Sequence, residues 1–197
     1  MAWAKLDTNT LSATSTSVST TTYTTKKFQQ ILFHSLGFTS NATDNGGIQF
    51  NGDTNSVYAT RRQVDGGTDA TITSDSNLNS HDQGTTGKFQ VNYLSNISGE
   101  EKLSIGFIIF PTATGAGTAP RRHEQVGKYV PSPDADITSN SHISESAQEY
   151  PIGTNLTTLT GDETESVSLQ DGTIFEETDT NKAYIWNSST KTWTQLW

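Results

Sequence analysis

Four histidines, His34, His81, His123 and His142, are the first candidates for chemistry, and their spacing offers little. No His-x-His or His-Glu-x-x-His pair brings two imidazoles to one metal, and there is no cysteine to complete a mixed site. His34 falls in an apolar stretch, where a histidine of the core or of an interface is expected. Acid–base catalysis needs two carboxylates facing across a cleft, one of them with a raised pKa. Glu100-Glu101, Glu124, Glu149 and Glu176-Glu177 supply carboxylates, but no spacing singles out a pair. No Gly-x-Ser-x-Gly turn presents a nucleophilic serine. These residues point away from an enzyme and from a resident cofactor.

Binding chemistry is better represented. Asp44, Asn45, Asp53, Asn55, Asp65, Asp69, Asp75 and Asp82 supply hard oxygen ligands that suit a loop-bound calcium ion, although none fits an EF-hand loop. The competing and favoured reading is that Asp and Asn here simply make turns. Tyr58, Arg61, Arg62 and Tyr93 would form a glycan platform if they shared one face, with aromatic rings to stack on sugars and guanidinium groups to bond their hydroxyls. The alternative is that the tyrosines fill a thin core. Arg122, Glu124 and Lys128 alternate along one strand and so share a face, which suits surface ion pairs or a subunit contact. Trp186, Trp193 and Trp197, three of the four tryptophans, crowd the C-terminal end and form a second candidate assembly contact.

Composition sets what must position these residues. The 197 residues are 31% hydrophobic and 17% charged, and the polar remainder is largely Thr, Ser, Asn, Gln and Gly. Mean hydropathy is −0.57. Thr favours strands while Asn, Gly and Ser favour turns, so an all-β chain rich in exposed turns is expected. The net charge of −9 argues against nucleic acid, which needs a basic stripe. The basic pairs Lys26-Lys27, Arg61-Arg62 and Arg121-Arg122 point to opposite faces of a strand and make no patch. With no cysteine, stability rests on the core and on subunit contacts. No apolar run approaches transmembrane length, and the N-terminus carries no secretion signal, so membrane insertion is not expected.

Apolar runs, alternation and the turn residues between them predict strands across Phe28–Phe38, Ile48–Thr60 around an Asn51-Gly52-Asp53 turn, Phe89–Tyr93, Leu103–Phe110, Arg122–Val130, Ile137–Gln148 and Tyr150–Leu159. Leu103–Phe110 is expected to be the most buried of them. Residues 1–25 are expected to form a Ser/Thr-rich arm or edge strand, and 64–87 a long loop. The predicted body, 1–160, is a jelly-roll-like antiparallel β-sandwich. The acidic run Gly161–Glu165 leads into a small three-stranded β module, 161–197, with strands at Thr173–Glu177, Lys182–Trp186 and Thr192–Trp197.

Several segments carry a resemblance. Met1-Ala-Trp-Ala-Lys-Leu-Asp-Thr-Asn-Thr-Leu11, Phe50-Asn-Gly-Asp-Thr-Asn-Ser-Val-Tyr58, Gly117-Thr-Ala-Pro-Arg-Arg-His-Glu-Gln-Val-Gly-Lys-Tyr129 and Ile152-Gly-Thr-Asn-Leu156 resemble structural proteins of marine tailed bacteriophages and related viruses. The run Gly172–Trp193, with Tyr184-Ile-Trp-Asn187 and a later Trp, looks like a short module that recurs in viral structural proteins. The resemblance implies a non-enzymatic virion component, a capsid decoration or fibre protein. Its implied partners are copies of itself and capsid or tail proteins, and it implies no catalytic residues. A virion-surface protein folded in the host cytoplasm and released by lysis also reconciles an exposed-looking composition with the lack of a leader. A host-glycan-binding module of a phage fibre is the second expectation.

Overall fold

The computed structural model of the chain describes residues 3–40, 45–80, 85–161, 171–177, 180–190 and 192–197. Every regular element among them is a strand. The chain divides into two compact units, Ala2–Gly161 and a smaller one made of Asp162–Trp197 with Met1. No helix among the described residues is long and apolar enough to cross a membrane.

The larger unit contains β1 (Trp3–Thr10), β2 (Ser17–Ser19), β3 (Phe28–Ser35), β4 (Gly46–Phe50), β5 (Tyr58–Val64), β6 (Ala70–Asp75), β7 (Leu78–Ser80), β8 (Lys88–Ser95), β9 (Lys102–Phe110), β10 (Arg121–Tyr129), β11 (Asn140–Ser144) and β12 (Asn155–Gly161). One sheet has the order β1-β12-β3-β8-β9-β10-β5-β6 and the other β2-β11-β4-β7. All the pairings are antiparallel. The hairpins β5–β6 and β9–β10 are insertions. Without them the eight remaining strands follow the order 1-8-3-6 in one sheet and 2-7-4-5 in the other, which is the jelly-roll connection. Both hairpins extend the larger sheet beyond β8.

Turn chemistry explains how the chain changes direction. Asn51 and Gly52 both take positive φ, 55° and 67°, and Asp53 N–H donates to Phe50 O at 2.9 Å. Asn-Gly is the pair that tolerates such a turn, and here it lets the chain leave β4 in one sheet and enter β5 in the other. The stretch 64–87, expected to be a loop, contains β6 and β7. β6 is the outermost strand of the large sheet and its Thr71 and Thr73 lie in solvent, so it lacks the apolar alternation that marks a strand. The Ser/Thr-rich start of the chain supplies the edge strands β1 and β2.

The core between the sheets is part apolar and part hydrogen-bonded. Ile31, Phe33, Ile48, Phe50, Tyr58, Leu78, Tyr129, Ile137, Tyr150 and Leu156 form the apolar cluster. Tyr58 and Tyr129 stack at 4.8 Å. Among them lie buried polar side chains, including Gln90, Asn92, Lys102, Asn140 and His142. His142 stacks on Phe33 at 3.7 Å and sits 2.9 Å from the Tyr150 hydroxyl through Nδ1. The Tyr150 hydroxyl donates to Ile143 O, so it accepts the Nδ1 proton, and Nε2 faces both the Lys88 ammonium at 3.3 Å and Gln90 Oε1 at 3.2 Å. Burial, with the Lys88 ammonium beside it, holds His142 well below its ordinary pKa.

Asn96, just after β8, ties three segments together. Its amide donates to Thr25 Oγ1, Lys26 O and Ile137 O, and its Oδ1 accepts from Ile137 N–H at 2.8 Å. Asn96→Ala would strand these buried groups at about 1–3 kcal/mol each, so a loss of about 2–4 kcal/mol is expected in urea unfolding.

Candidate functional site

The alternation of β9 is as expected, but its phase is reversed. Lys102, Ser104 and Gly106 point between the sheets, while Leu103, Ile105, Phe107 and Ile109 point outward at 54%, 54%, 49% and 48% exposure. The most buried strand expected from sequence therefore presents an apolar stripe to the outside. The inward phase is set by Ile108 and Phe110, which are buried at one end, and by Lys102, which is buried at the other. Lys102 Nζ donates to Ile97 O at 2.7 Å and lies 3.3 Å from both Asp134 and Asp136. In the middle, Asn92 donates to Ser104 Oγ at 3.2 Å. Gly106 is required there, because a Cβ would collide with the Asn92 amide and come within 2.9 Å of Gln125 Cγ.

Register extends the stripe sideways into a patch. Phe89 lies beside Ile109, Val91 beside Phe107 and Tyr93 beside Ile105 on the β8 side. On the β10 side Val126 lies beside Ile105. Trp3 of β1 packs on Tyr93 with ring centroids 6.3 Å apart, and Phe28 of β3 lies half exposed on the same face. The face carries only shallow, open depressions. Two adjoining depressions of about 380 and 510 Å³ share Arg61, Ile105 and Val126 in their walls.

The charged candidates fall on this same face. Arg122, Glu124 and Lys128 all point outward from β10 and rim the patch. Arg122 pairs with Glu124 at 3.7 Å and Lys128 with Glu101 at 3.0 Å. Both pairs are exposed and contribute little to stability.

The four glycan candidates are not brought together. Tyr58 is 1% exposed, its hydroxyl donating within the β4–β5 turn and accepting from Phe50 N–H. Arg62 turns inward to the Asn79 amide oxygen. Tyr93 and Arg61 do lie on the outer face, but Ile105 and Val126 stand between them in one cross-strand row. Of the Asp and Asn candidates for calcium, Asp53, Asn55, Asp65 and Asp75 serve turns and ion pairs. Asp53 Oδ1 accepts from Asn55 N–H, and Asp65 accepts from Arg122 N–H and the Arg121 guanidinium. Those two contacts hold the Asp65 carboxyl below the usual carboxylate range. No group of three or more metal-ligating side chains occurs among the described residues, and Asp44 and Asp82 lie outside them. His34 is exposed on the outer face instead of lying in the core, because the β3 residues that point inward are Gln29, Ile31, Phe33 and Ser35. His81 lies outside the described residues.

The smaller unit contains β13 (Ile174–Glu177), β14 (Lys182–Asn187) and β15 (Thr192–Gln195), in that order in one sheet. Trp186 lies directly opposite Trp193, with ring centroids 5.3 Å apart, and Phe175 meets Trp193 at 6.1 Å. Trp197 lies beyond the last strand and is 67% exposed. The unit thus forms an aromatic cluster with Trp193 itself 39% exposed.

Comparison of the chain with protein-family models, with curated proteins and with solved structures finds no match.

Proposed function

We propose that this chain is a non-enzymatic virion structural protein, displayed on the particle as a capsid decoration or fibre component. It works through contacts with its own copies and with capsid or tail proteins. One observation carries the reading. Nine large apolar side chains on one face of the β1-β12-β3-β8-β9-β10-β5-β6 sheet are each about half exposed. At roughly 200 Å² per side chain they present on the order of 900 Å² of mainly apolar surface, beyond the largest patch of a typical monomer. A solitary protein gains nothing from such a face, whereas a component of an assembly has it covered. The choice of a virion as the particular assembly rests on the resemblance read from the sequence alone.

Mixing the purified chain with itself and with capsid and tail proteins tests this. Sedimentation in complexes heavier than 21.4 kDa is expected. A species that stays at the single-chain mass and binds none of these partners would overturn the reading.

A further inference from the structure

We infer that the occupant of the outer face is a second copy of this chain, docked sheet to sheet about a two-fold axis that passes over Ile105. This rests on the assembly reading and adds the partner to it.

Area comes first. The patch of on the order of 900 Å² matches the roughly 800 Å² per partner of a standard interface, so one face against one face suffices for a specific contact. Charge comes next. The chain carries a net charge of −9, so two copies repel in most orientations. The outer face is an exception, because its β10 side offers Arg61, Arg122 and Lys128 against Glu124, Glu101 and Asp69, an even balance of signs. Two such faces meet with both signs available to each, which is the self-complementarity a two-fold contact needs. Arg61 is exposed, borders both depressions and has no ion-pair partner among the described residues, so it is a cation that a facing carboxylate, Asp69 or Glu124, would satisfy.

Position is the third argument. β9 is the fifth of eight strands, with β8 and three further strands on one side and β10, β5 and β6 on the other. An axis over its midpoint sets apolar centre on apolar centre and polar margin on polar margin. The dimples shared by Ile105 and Val126 receive the facing side chains, as they interdigitate when sheets stack about 10 Å apart.

The chain has no cysteine, which makes a single-site cross-linking test clean. Ile105→Cys in the full-length protein, treated with a bis-maleimide of about 10 Å span to match the spacing of stacked sheets, is expected to give a two-chain product. Ser56→Cys, in the exposed segment between β4 and β5, is expected to give only singly modified chains. The unsubstituted protein should sediment at a multiple of the 21.4 kDa chain mass, a measurement that requires no variant to fold. Singly modified Ile105→Cys, or an unsubstituted chain at the single-chain mass, overturns the second-copy inference. If the thiol introduced by Ile105→Cys is then shielded or linked to another protein in mixtures with capsid or tail proteins, the assembly reading stands with a different partner. If it stays open there too, both fail.

Discussion

Glutamate at both Ile105 and Phe107 is expected to release the chain as a folded monomer. In the isolated chain these side chains are half exposed, at 54% and 49%, so a carboxylate there keeps much of its hydration. Stability should change by about 1 kcal/mol or less. In a closed contact the same two carboxylates would lose water without a partner, at several kcal/mol each, so association should weaken by at least about 100-fold, or 3 kcal/mol. The next residue along the strand gives the contrast. Ile108 is fully buried, and Ile108→Glu is expected to cost more than about 4 kcal/mol and to unfold the body. Sedimentation velocity with circular dichroism separates the outcomes. Equal unfolding by the outward and inward substitutions would show that the phase of β9 is not as described.

The second large effect is on acid stability. His142 is neutral in the fold, enclosed by Phe33, Tyr150, Ser80, Gln90 and the Lys88 ammonium, and is held well below its ordinary pKa of 6.5. The unfolded chain takes a proton there as pH drops through about 6.5, and the folded chain does not. Its contribution is therefore fully present above that pH and is lost on acidification, at about 1.4 kcal/mol per pH unit, until the depressed folded value is reached. Urea midpoints between pH 7.5 and pH 5 should fall more steeply for the natural chain than for His142→Gln, although the variant starts lower for want of the ring stacked on Phe33. Parallel pH profiles would place the acid sensitivity elsewhere.

Much of the fold can be read from the sequence because alternation is a local property. β3, β8, β9 and β14 each carry enough apolar residues at period two to declare themselves. The same holds for the shared face of Arg122, Glu124 and Lys128. Two things are not local. A polar edge strand such as β6 has nothing to alternate, since neither its Thr71 nor its Thr73 is buried. The phase of a strand with apolar residues on both sides is decided by its neighbours: β9 turns Leu103, Ile105, Phe107 and Ile109 outward because Lys102 and Ser104 have partners inside. For the same reason Tyr58 and Arg62 go inward while Tyr93 and Arg61 stay out. The best available signal was Gly106 beside Ser104 in an otherwise bulky strand, a small and polar strip where other side chains must close over it.

Hydroxyl-radical footprinting of Tyr93 and Phe107, compared between the associated protein and chains dissociated by dilution, reaches the central claim most directly. Both side chains are about half exposed in the single chain, as is Ile152 outside the sheet. If the outer face is where the chain meets its partners, oxidation of Tyr93 and Phe107 drops several-fold on association while that of Ile152 holds steady. Undiminished oxidation of Tyr93 and Phe107 in the associated protein would contradict it.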